Sequence, residues 1–330
     1  MIILTGGAGF IGSALLFELN QRGQTDILVV DAVDHPRKVR NLAALKYREL
    51  LGIGDFRRHL AAGDYDSAGV SGVLHIGACS ATTETSWEYL QDNNIACTQE
   101  IIQWCVNRGV RCVYASSAAT YGDGEHGFTD EHSMFDRLMP LNLYGKSKLD
   151  VDVWARDRGY LDHIAGLRYF NVFGPNEWHK EGMRSVVNKK FPEIRDTGKI
   201  TLFKSYRPNY ADGAQERDFV YVRDVVDITL WFLEQKDVSG VFNVGTGIAR
   251  TWNDMARAMC GALYRPTAIR YVEMPENLRN QYQYHTRADV AKLRKAGYDR
   301  PFTSLEDSIN DYIRGFLAPD RHLGEAPLGR

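Results

Sequence analysis

The sequence lacks the marks of a membrane or secreted protein. No apolar run approaches the roughly 18 to 20 residues that a membrane-spanning helix needs, and no basic region or signal peptide precedes the first apolar strand. The 40 Lys and Arg nearly balance the 42 Asp and Glu, for a net charge of −2. This excludes a basic surface for nucleic acid and a polybasic membrane anchor. We therefore expect a cytoplasmic protein whose partners are small molecules or other subunits.

The patterns of a disulfide framework or a metal site are also missing. The five cysteines are odd in number, show no C-x-x-C spacing and mostly lie in apolar surroundings. The nine histidines are scattered, and none forms an H-x-x-x-H pair. We predict buried free thiols and no bound metal.

What the sequence does contain is a regular alternation of strands and helices. Helix-period segments near 11–22, 87–107 and 142–158 separate short β-branched runs, which are "MIILTG", "ILVVDA", "GVLHIGA", "RCVYASSAATYG" and "HIAGLRYFNVFG". This alternation predicts an α/β fold, a Rossmann-type doubly wound parallel sheet covered by helices.

The regularity weakens after residue 175, which predicts a second, smaller unit. We assign 1–175 to a dinucleotide-binding domain and 176–330 to a C-terminal α/β substrate lobe, interleaved because 213–247, with its strand "GVFNVGTG", returns to the main sheet. Helices are expected near 182–198, 224–235, 251–264 and 303–316. The Pro- and Gly-rich tail 317–330 is expected to be disordered.

The first strand is followed by a glycine-rich turn. Gly6, Gly9 and Gly12 stand at three-residue intervals between strand and helix, and Asp31 ends the next strand about twenty residues later. Such glycines let the backbone turn sharply against a pyrophosphate at the helix N-terminus. A tight turn alone would give the same letters, but strand, helix and acidic residue together predict a dinucleotide site.

The residues after Asp31 leave the choice of dinucleotide open. Asp31 favours NAD, because a carboxylate accepts hydrogen bonds from the ribose hydroxyls and repels a 2′-phosphate. Arg37, Lys38 and Arg40 could instead neutralise that phosphate, or could simply belong to a solvated loop.

The segment "LNLYGKSKLD" predicts half of a catalytic site. On a helix, residues four apart lie about 40° from each other and residues two apart about 200°, so Lys148 flanks Tyr144 and Lys146 points away. An ammonium beside a phenol favours the phenolate, which lowers the tyrosine pKa and makes it a usable base. By itself, Y-x-x-x-K is usually a surface pair. The strand that ends at Ser116 and Ser117 adds hydroxyls where active-site residues of open α/β sheets collect.

Taken together, these motifs resemble the extended short-chain dehydrogenase/reductase family that remodels nucleotide sugars. The resemblance runs from residue 1 to about 316 and rests on "TGGAGFIG", "SSAATYG", "YGKSK", "LRYFNVFGP", "RDFVYVRDVVD" and "FNVGTG". Dehydratases of the family carry an acidic pair after the serine strand, where this chain has Ala118 and Ala119, so the resemblance argues against water elimination.

Four further stretches resemble the members that invert carbon 6 of an ADP-linked heptose for the lipopolysaccharide inner core. They are "HIGACSATTET", "QDNNIACTQE", "NEWHKEGMRSV" and "RNQYQYHTRADVAKLRKAGYDRPF". That resemblance implies NADP as a tightly bound cofactor, with NAD as the alternative, and a ring of identical subunits, usually five. A 4-epimerase or reductase acting on another nucleotide sugar, and a cofactor-sensing regulator, remain the alternatives.

The resemblance also implies roles for individual residues. Oxidation and reduction at carbon 6 need a proton handler on each face, matched by Tyr144 and Lys180; a solvated loop lysine is the competing interpretation of Lys180. Ser117 and Lys148 complete the catalytic set. The cofactor residues are Gly6, Gly9, Phe10, Ile11, Gly12, Asp31, Lys38, Ile76, Gly77, Ala78, Cys79, Ser80, Asn93, Tyr144, Lys148, Val172 and Lys180. The substrate residues are Ser117, Asn171, Gly182, Lys189, Phe203, Lys204, Ser205, Tyr206, Arg217 and Tyr282.

Among these, Arg217 is the expected diphosphate ligand, because a guanidinium offers paired donors. The competing interpretation is an ion pair with Asp218 or Asp224. The chain departs from the family at Ile53, where a cofactor-supporting lysine is expected, at Gly182 for a serine and at Lys189 for a histidine. The stretch between Phe203 and Arg217 is also longer than in the family.

Overall fold

The computed structural model describes residues 1–279 and 282–326. Within them the strands are β1 (Ile2–Thr5), β2 (Ile27–Val30), β3 (Glu49–Leu51), β4 (Gly72–His75), β5 (Arg111–Ser117), β6 (Ile164–Tyr169), β7 (Asn171–Phe173), β8 (Ile200–Phe203), β9 (Glu216–Tyr221), β10 (Gly240–Val244), β11 (Ala249–Thr251) and β12 (Ile269–Val272).

The α-helices of the same residues are α1 (Phe10–Gln21), α2 (Pro36–Leu42), α3 (Ile53–Ala62), α4 (Trp87–Leu90), α5 (Cys97–Arg108), α6 (Leu143–Asp157), α7 (Val186–Thr197), α8 (Val222–Glu234), α9 (Trp252–Ala262), α10 (Glu276–Arg279), α11 (Ala291–Lys295) and α12 (Leu305–Tyr312). Short 3-10 helices cover Ala118–Tyr121, His132–Arg137, Tyr160–Asp162 and Trp178–Met183. Wider π-helical turns cover Gln91–Ala96 and Ile313–Leu317.

Seven strands form one parallel sheet in the order β10-β6-β5-β4-β1-β2-β3. Successive side chains of a strand point to opposite faces, so Ile2 and Leu4 pack with α1 and α8 while Ile3 packs with α3 and α5. Both faces are covered, as parallel sheets require. The predicted doubly wound Rossmann-type fold is confirmed.

The strand order reverses between β1 and β4, and this opens a crevice at the carboxyl ends of both strands. Those ends carry the glycine turn after Thr5 and the segment Ile76–Ser80 after His75. Next along the sheet, β5 ends at Ser117. The topology thus brings together three segments that are far apart in sequence.

The C-terminal half adds two smaller sheets, β11-β9-β7 and β12-β8. Its "GVFNVGTG" segment forms β10, which extends the main sheet by pairing with β6. The tail differs from the expectation of disorder: residues 318–326 pack against the body, and His322 and Leu323 are buried. Residues 327–330 lie outside the described residues.

Two further findings concern metals and membranes. Nowhere in the described residues do three or more His, Cys, Asp or Glu side chains come together as a metal site. No helix there is long and apolar enough to cross a membrane. All five cysteines are free, and Cys97, Cys105, Cys112 and Cys260 are buried.

Candidate active site

A cleft of about 660 Å³ opens over the switch point of the sheet. It is lined by the glycine turn, by the segment 76–82, by Tyr144 and Lys148 of α6, and by residues 179, 180 and 183–186. Fourteen lining residues were not among those that the sequence singled out: Ala81, Thr82, Ala115, Tyr169, Phe170, Phe173, His179, Met183, Arg184, Ser185, Val186, Phe219, Trp252 and Met255.

The glycine turn is shaped for a close approach of backbone to ligand. Gly6 has φ +69, a left-handed conformation that side chains disfavour, and a Cβ there would lie 2.7 Å from the Gly77 nitrogen. A Cβ on Gly12 would lie 1.9 Å from the Gly6 carbonyl oxygen. Gly9 is the N-cap of α1, so the positive end of that helix faces the cleft. The geometry fits a dinucleotide pyrophosphate.

The adenosine end of the cleft is lined by Asp31 and Lys38. One Asp31 carboxylate oxygen accepts the Ala8 N–H at 2.9 Å and the other accepts Lys38 Nζ at 3.1 Å. Arg37 and Arg40 turn away from the cleft and pair with Asp320 and, for Arg40, Glu325. Only one of the three candidate cations therefore faces this end.

Residues behind the cleft hold its wall in place. Thr5 Oγ1 accepts the Gly77 N–H at 3.0 Å and bonds to His75, whose other ring nitrogen meets Thr98 Oγ1 at 2.9 Å. Burial lowers the pKa of His75 to about 3, so the imidazole is neutral. The ring works as a structural bridge under the turn.

Asn93, a predicted cofactor residue, does not line the cleft. Its side-chain amide donates to the Oδ1 atom of Asn94 at 3.0 Å. The buried Asn94 holds the wall instead, because it exchanges hydrogen bonds with both backbone groups of Cys79 and donates to Ser147 Oγ. Sequence reasoning missed Asn94, although it shares a helical face with the buried Thr98 and Ile101 at spacings of four and seven.

Tyr144 is positioned by the start of α6. Asn142 caps the helix through the Gly145 N–H at 2.8 Å, and a Cβ on Gly145 would lie 2.6 Å from the Ala119 carbonyl oxygen. The missing side chain lets α6 approach the 3-10 turn that follows Ser117. Tyr144 and Ser117 consequently face the same cleft.

The two lysines of α6 have opposite environments. Lys146 is exposed, pairs with Asp150 and lies over the Trp87 ring at 4.5 Å. Lys148 is buried and donates to the Ala115 carbonyl at 2.8 Å. Burial lowers the pKa of Lys148 to about 8, and Asp152 opposes that shift.

The expected lowering of the Tyr144 pKa is not found. Burial raises the pKa of the phenol, and the hydrogen bond with Ser117 only partly offsets this. The reason is geometric: the Lys148 ammonium bonds to a strand carbonyl and no hydrogen bond joins it to Tyr144 among the described residues. The phenol is therefore the favoured form.

Lys180 lines the cleft from a separate segment of the chain. It lies in the 3-10 helix Trp178–Met183, with its ammonium 5.5 Å from the centre of the Phe10 ring. No carboxylate in residues 1–279 or 282–326 pairs with it, and burial lowers its pKa while Glu177 opposes the shift. Backbone strain flanks this lysine, because Asn176 (φ 74) and Glu181 (φ 46) both have positive φ.

The predicted substrate residues divide into three groups. Ser117 and Asn171 line the cleft. Arg217 borders it, stacked 5.7 Å from the ring of the cleft residue Trp252 and 5.1 Å from that of Tyr282. The remaining predicted residues do not line it: Gly182, Lys189, Phe203, Lys204, Ser205 and Tyr206.

The competing interpretation of Arg217 as an ion pair does not fit. Asp218 accepts hydrogen bonds from the backbone of Thr246, Gly247 and Ala288, and Asp224 accepts from Thr303. Among the described residues, the guanidinium donates hydrogen bonds only to the backbone carbonyls of Glu216 and Gln283. Arg217 thus keeps a buried positive charge without a carboxylate in the described part of the chain.

Outside the cleft, most of the other predicted substrate residues hydrogen-bond to groups of the protein itself. Lys189 Nζ donates to the Gly182 carbonyl at 3.2 Å, and both are exposed. Lys204 and Tyr206 both bond to Glu273, and the Ser205 N–H donates to Asp212. A side chain at Gly182 would meet open space, so the departure from the expected serine is sterically neutral.

Comparisons with known proteins identify the family of this chain. The model of the NAD dependent epimerase/dehydratase family matches residues 2–245. The chain belongs to this family. Its relatives include ADP-L-glycero-D-manno-heptose-6-epimerases of Nitratidesulfovibrio vulgaris strain Hildenborough, 48% identical with 98% of this chain and 100% of the relative covered, and of Fusobacterium nucleatum, 41% identical with 97% and 99% covered.

Solved structures agree in fold. The Helicobacter pylori ADP-L-glycero-D-manno-heptose-6-epimerase superimposes with a TM-score of 0.79 at 27% identity, covering 95% of both chains. A UDP-N-acetylglucosamine 4-epimerase of Methanobrevibacter ruminantium has a TM-score of 0.78 at 23% identity, with 96% and 98% covered. At that identity the second likeness concerns the fold alone.

Proposed function

We propose that this protein inverts carbon 6 of ADP-D-glycero-D-manno-heptose to give ADP-L-glycero-D-manno-heptose, in the cytoplasm, for the lipopolysaccharide inner core. The observation that carries the proposal is the pair Tyr144 and Lys180, which line one cleft from separate segments of the chain. Relatives at 41–48% identity over nearly the whole chain bear the name of this activity.

The two side chains suit the two faces of carbon 6. The hydroxyl of one epimer lies towards one side and that of the other epimer towards the opposite side, so each orientation needs its own proton donor or acceptor. Burial favours the protonated phenol at Tyr144 and the neutral amine at Lys180. Opposite pKa shifts in one cleft are the arrangement expected of an acid and a base.

For the cofactor we propose NADP, held by the glycine turn with Lys38 beside the adenosine ribose. A bound nicotinamide would supply the reversible hydride acceptor, so the net reaction needs no outside oxidant. Lys38 supports NADP because it is the cation that lines this end of the cleft, whereas Asp31 would suit NAD. Mass spectrometry of the cofactor released on denaturation separates the two.

On the substrate side we propose that Arg217 binds the diphosphate, with Ser117 and Asn171 contacting the sugar and Tyr282 stacking beside the guanidinium. We also infer a ring of identical subunits, five by family resemblance. Light scattering on the purified protein measures that number.

The test of the function is a substrate screen by proton NMR. The purified protein is incubated with ADP-D-glycero-D-manno-heptose and, separately, with UDP-galactose and other nucleotide sugars. Inversion at carbon 6 of the heptose is the expected result. Inversion at carbon 4 of UDP-galactose, with no change in the heptose, would contradict the proposal and indicate a 4-epimerase.

The test of the two-residue site is Lys180→Met. We expect kcat to fall by about 100-fold or more, which is the usual contribution of one proton-transfer group, while binding of NADP persists. Lys146→Met is the matched control, because Lys146 is exposed and points away from the cleft. Near-normal turnover of Lys180→Met would remove Lys180 from the site.

A further inference from the structure

The C-terminal segment 320–325 lies against residues 176–183, here called the Lys180 loop. Two residues of this loop, Asn176 and Glu181, have positive φ values, which are uncommon for residues other than glycine. Such a conformation persists only where neighbouring contacts fix it. The contacts made by Asn176 identify those neighbours.

Asn176 is fully buried, and three of its polar atoms are used in holding the loop. Its Nδ2 donates to Ser13 Oγ at 3.0 Å, its Oδ1 accepts the Leu323 N–H at 3.0 Å, and its backbone carbonyl accepts Asn41 Nδ2 at 3.2 Å. Ser13 follows Gly12 directly, so one side chain ties the Lys180 loop to the glycine turn and to the C-terminal segment.

Asn41 belongs to the same hydrogen-bond network. Its Nδ2 also donates to the Ala8 carbonyl in the glycine turn at 3.0 Å, and its Oδ1 meets His322 Nδ1 at 2.7 Å. Because an amide oxygen only accepts, this contact assigns the proton to Nδ1 of His322. The imidazole stacks on Trp178, in the loop itself, with ring centres 4.4 Å apart.

The segment is anchored from outside by charge. Arg40 donates to both carboxylate oxygens of Glu325 at 2.7 and 2.9 Å and to Asp320 at 2.9 Å, and Arg37 adds a contact of 3.2 Å to Asp320. Bidentate arginine–carboxylate pairs have fixed geometry. These pairs are part-exposed and lie outside the cleft, so they can be altered without touching it.

We propose that residues 320–325 form a strap that positions Lys180, with Asn176 as the central positioning residue between the strap, the glycine turn and the Lys180 loop. This role rests on the proposed function, because it assumes that Lys180 handles a proton. The strap explains why Arg37 and Arg40 point away from the cofactor site, because both pair with the C-terminal segment 320–325. Positioning errors of this kind slow chemistry more than they weaken binding.

The test removes the ion pairs that anchor the segment 320–325 and leaves the residues that line the cleft unchanged. In Asp320→Asn/Glu325→Gln we expect kcat for the heptose to fall about tenfold with KM changed less than twofold, and amide hydrogen exchange of residues 176–183 to accelerate about tenfold. Asn176→Gly should do the same, because glycine accepts the positive φ but cannot make the side-chain bonds. Asp66→Asn, which breaks an exposed pair with Arg108, is the matched control.

Each outcome decides the proposal. Wild-type kcat and wild-type exchange in the loop overturn the strap, and so does faster exchange spread evenly through the chain, which would make the segment a general stabiliser. If the unaltered protein fails to epimerise the heptose, the proposed function fails, and faster exchange confined to 176–183 still supports the strap.

Discussion

At the scale of single residues, burial divides side chains that look alike in the sequence. Lys146 and Lys148 lie two positions apart on α6; one pairs with Asp150 at the surface, and the other is buried with a pKa lowered to about 8. Lys180 resembles a surface lysine in the sequence, yet it faces the cleft without a carboxylate partner in the described residues. The protonation states of the lysines at this site depend on their burial and on whether a carboxylate pairs with them.

The pKa of Lys148 predicts how activity depends on pH. Burial disfavours the ammonium, so Lys148 is charged below about pH 8 and becomes neutral above it. Because Lys148 lines the same cleft as Tyr144, the site loses one positive charge in this range, and we expect kcat of the wild type to fall as pH rises through about 8. The measurement is a pH–rate profile under saturating substrate.

Lys148→Arg provides the matching variant for this prediction. A guanidinium keeps its proton throughout the range, so we expect a slower enzyme whose profile lacks the decline near pH 8. A decline of the same midpoint in both proteins would assign it to another group.

At the scale of elements, the glycine turn and α1 act as one unit. α1 begins at Phe10, directly after its N-cap Gly9, and Gly12 lies within its first turn against the Gly6 carbonyl. The close contact of helix and strand brings the helix N-terminus to the cleft. In the same way Gly145 brings the start of α6 to Ala119.

Gly12→Ala should therefore abolish dinucleotide binding. The added methyl group would lie 1.9 Å from the Gly6 oxygen, and the turn must open to admit it. We expect loss of measurable NADP binding by fluorescence titration. Gly54→Ala in α3, where the methyl group meets open space, is the control and should bind NADP normally. Normal NADP binding by Gly12→Ala would contradict the proposal that the pyrophosphate binds at the glycine turn.

At the scale of the whole molecule, a buried ion pair stands beneath the cleft. Asp152 on α6 and Arg168 on β6 are both fully buried, and Asp152 also accepts hydrogen bonds from Tyr114 and Ser116. The guanidinium lies 4.4 Å from the centre of the Phe135 ring. Helix, sheet and 3-10 turn are joined here by one charge pair.

Asp152→Asn should destabilise the fold strongly. It leaves the Arg168 charge buried without its partner, which costs about 3 to 5 kcal/mol. Urea denaturation followed by circular dichroism measures the loss. Asp196→Asn, which breaks the exposed pair with Arg195, should change the midpoint little. Equal midpoints for the two variants would show that the buried pair contributes no more than a surface one.

Much of the fold and of the cleft could be predicted from the order of residues alone. The strand-helix alternation, the glycine turn, Tyr144 with Lys148, and the serine strand end are local patterns, because each depends on spacings of two, three or four residues. Asp31 is recognised by its place at the end of the next strand. The short strand β3 and the helices α2 and α3 carry weaker patterns and were not predicted.

The sequence by itself determined the sheet, the glycine turn and the face of α6 that lines the cleft, since periodicity fixes which side chains share a face. Only the tertiary structure decided that Asn94 holds the wall, that Arg217 lacks a carboxylate partner in the described residues, that burial raises the Tyr144 pKa, and that Arg37 and Arg40 hold the C-terminal segment. The physical reason is that burial and ion pairing join residues up to 285 positions apart, and no local spacing encodes such contacts.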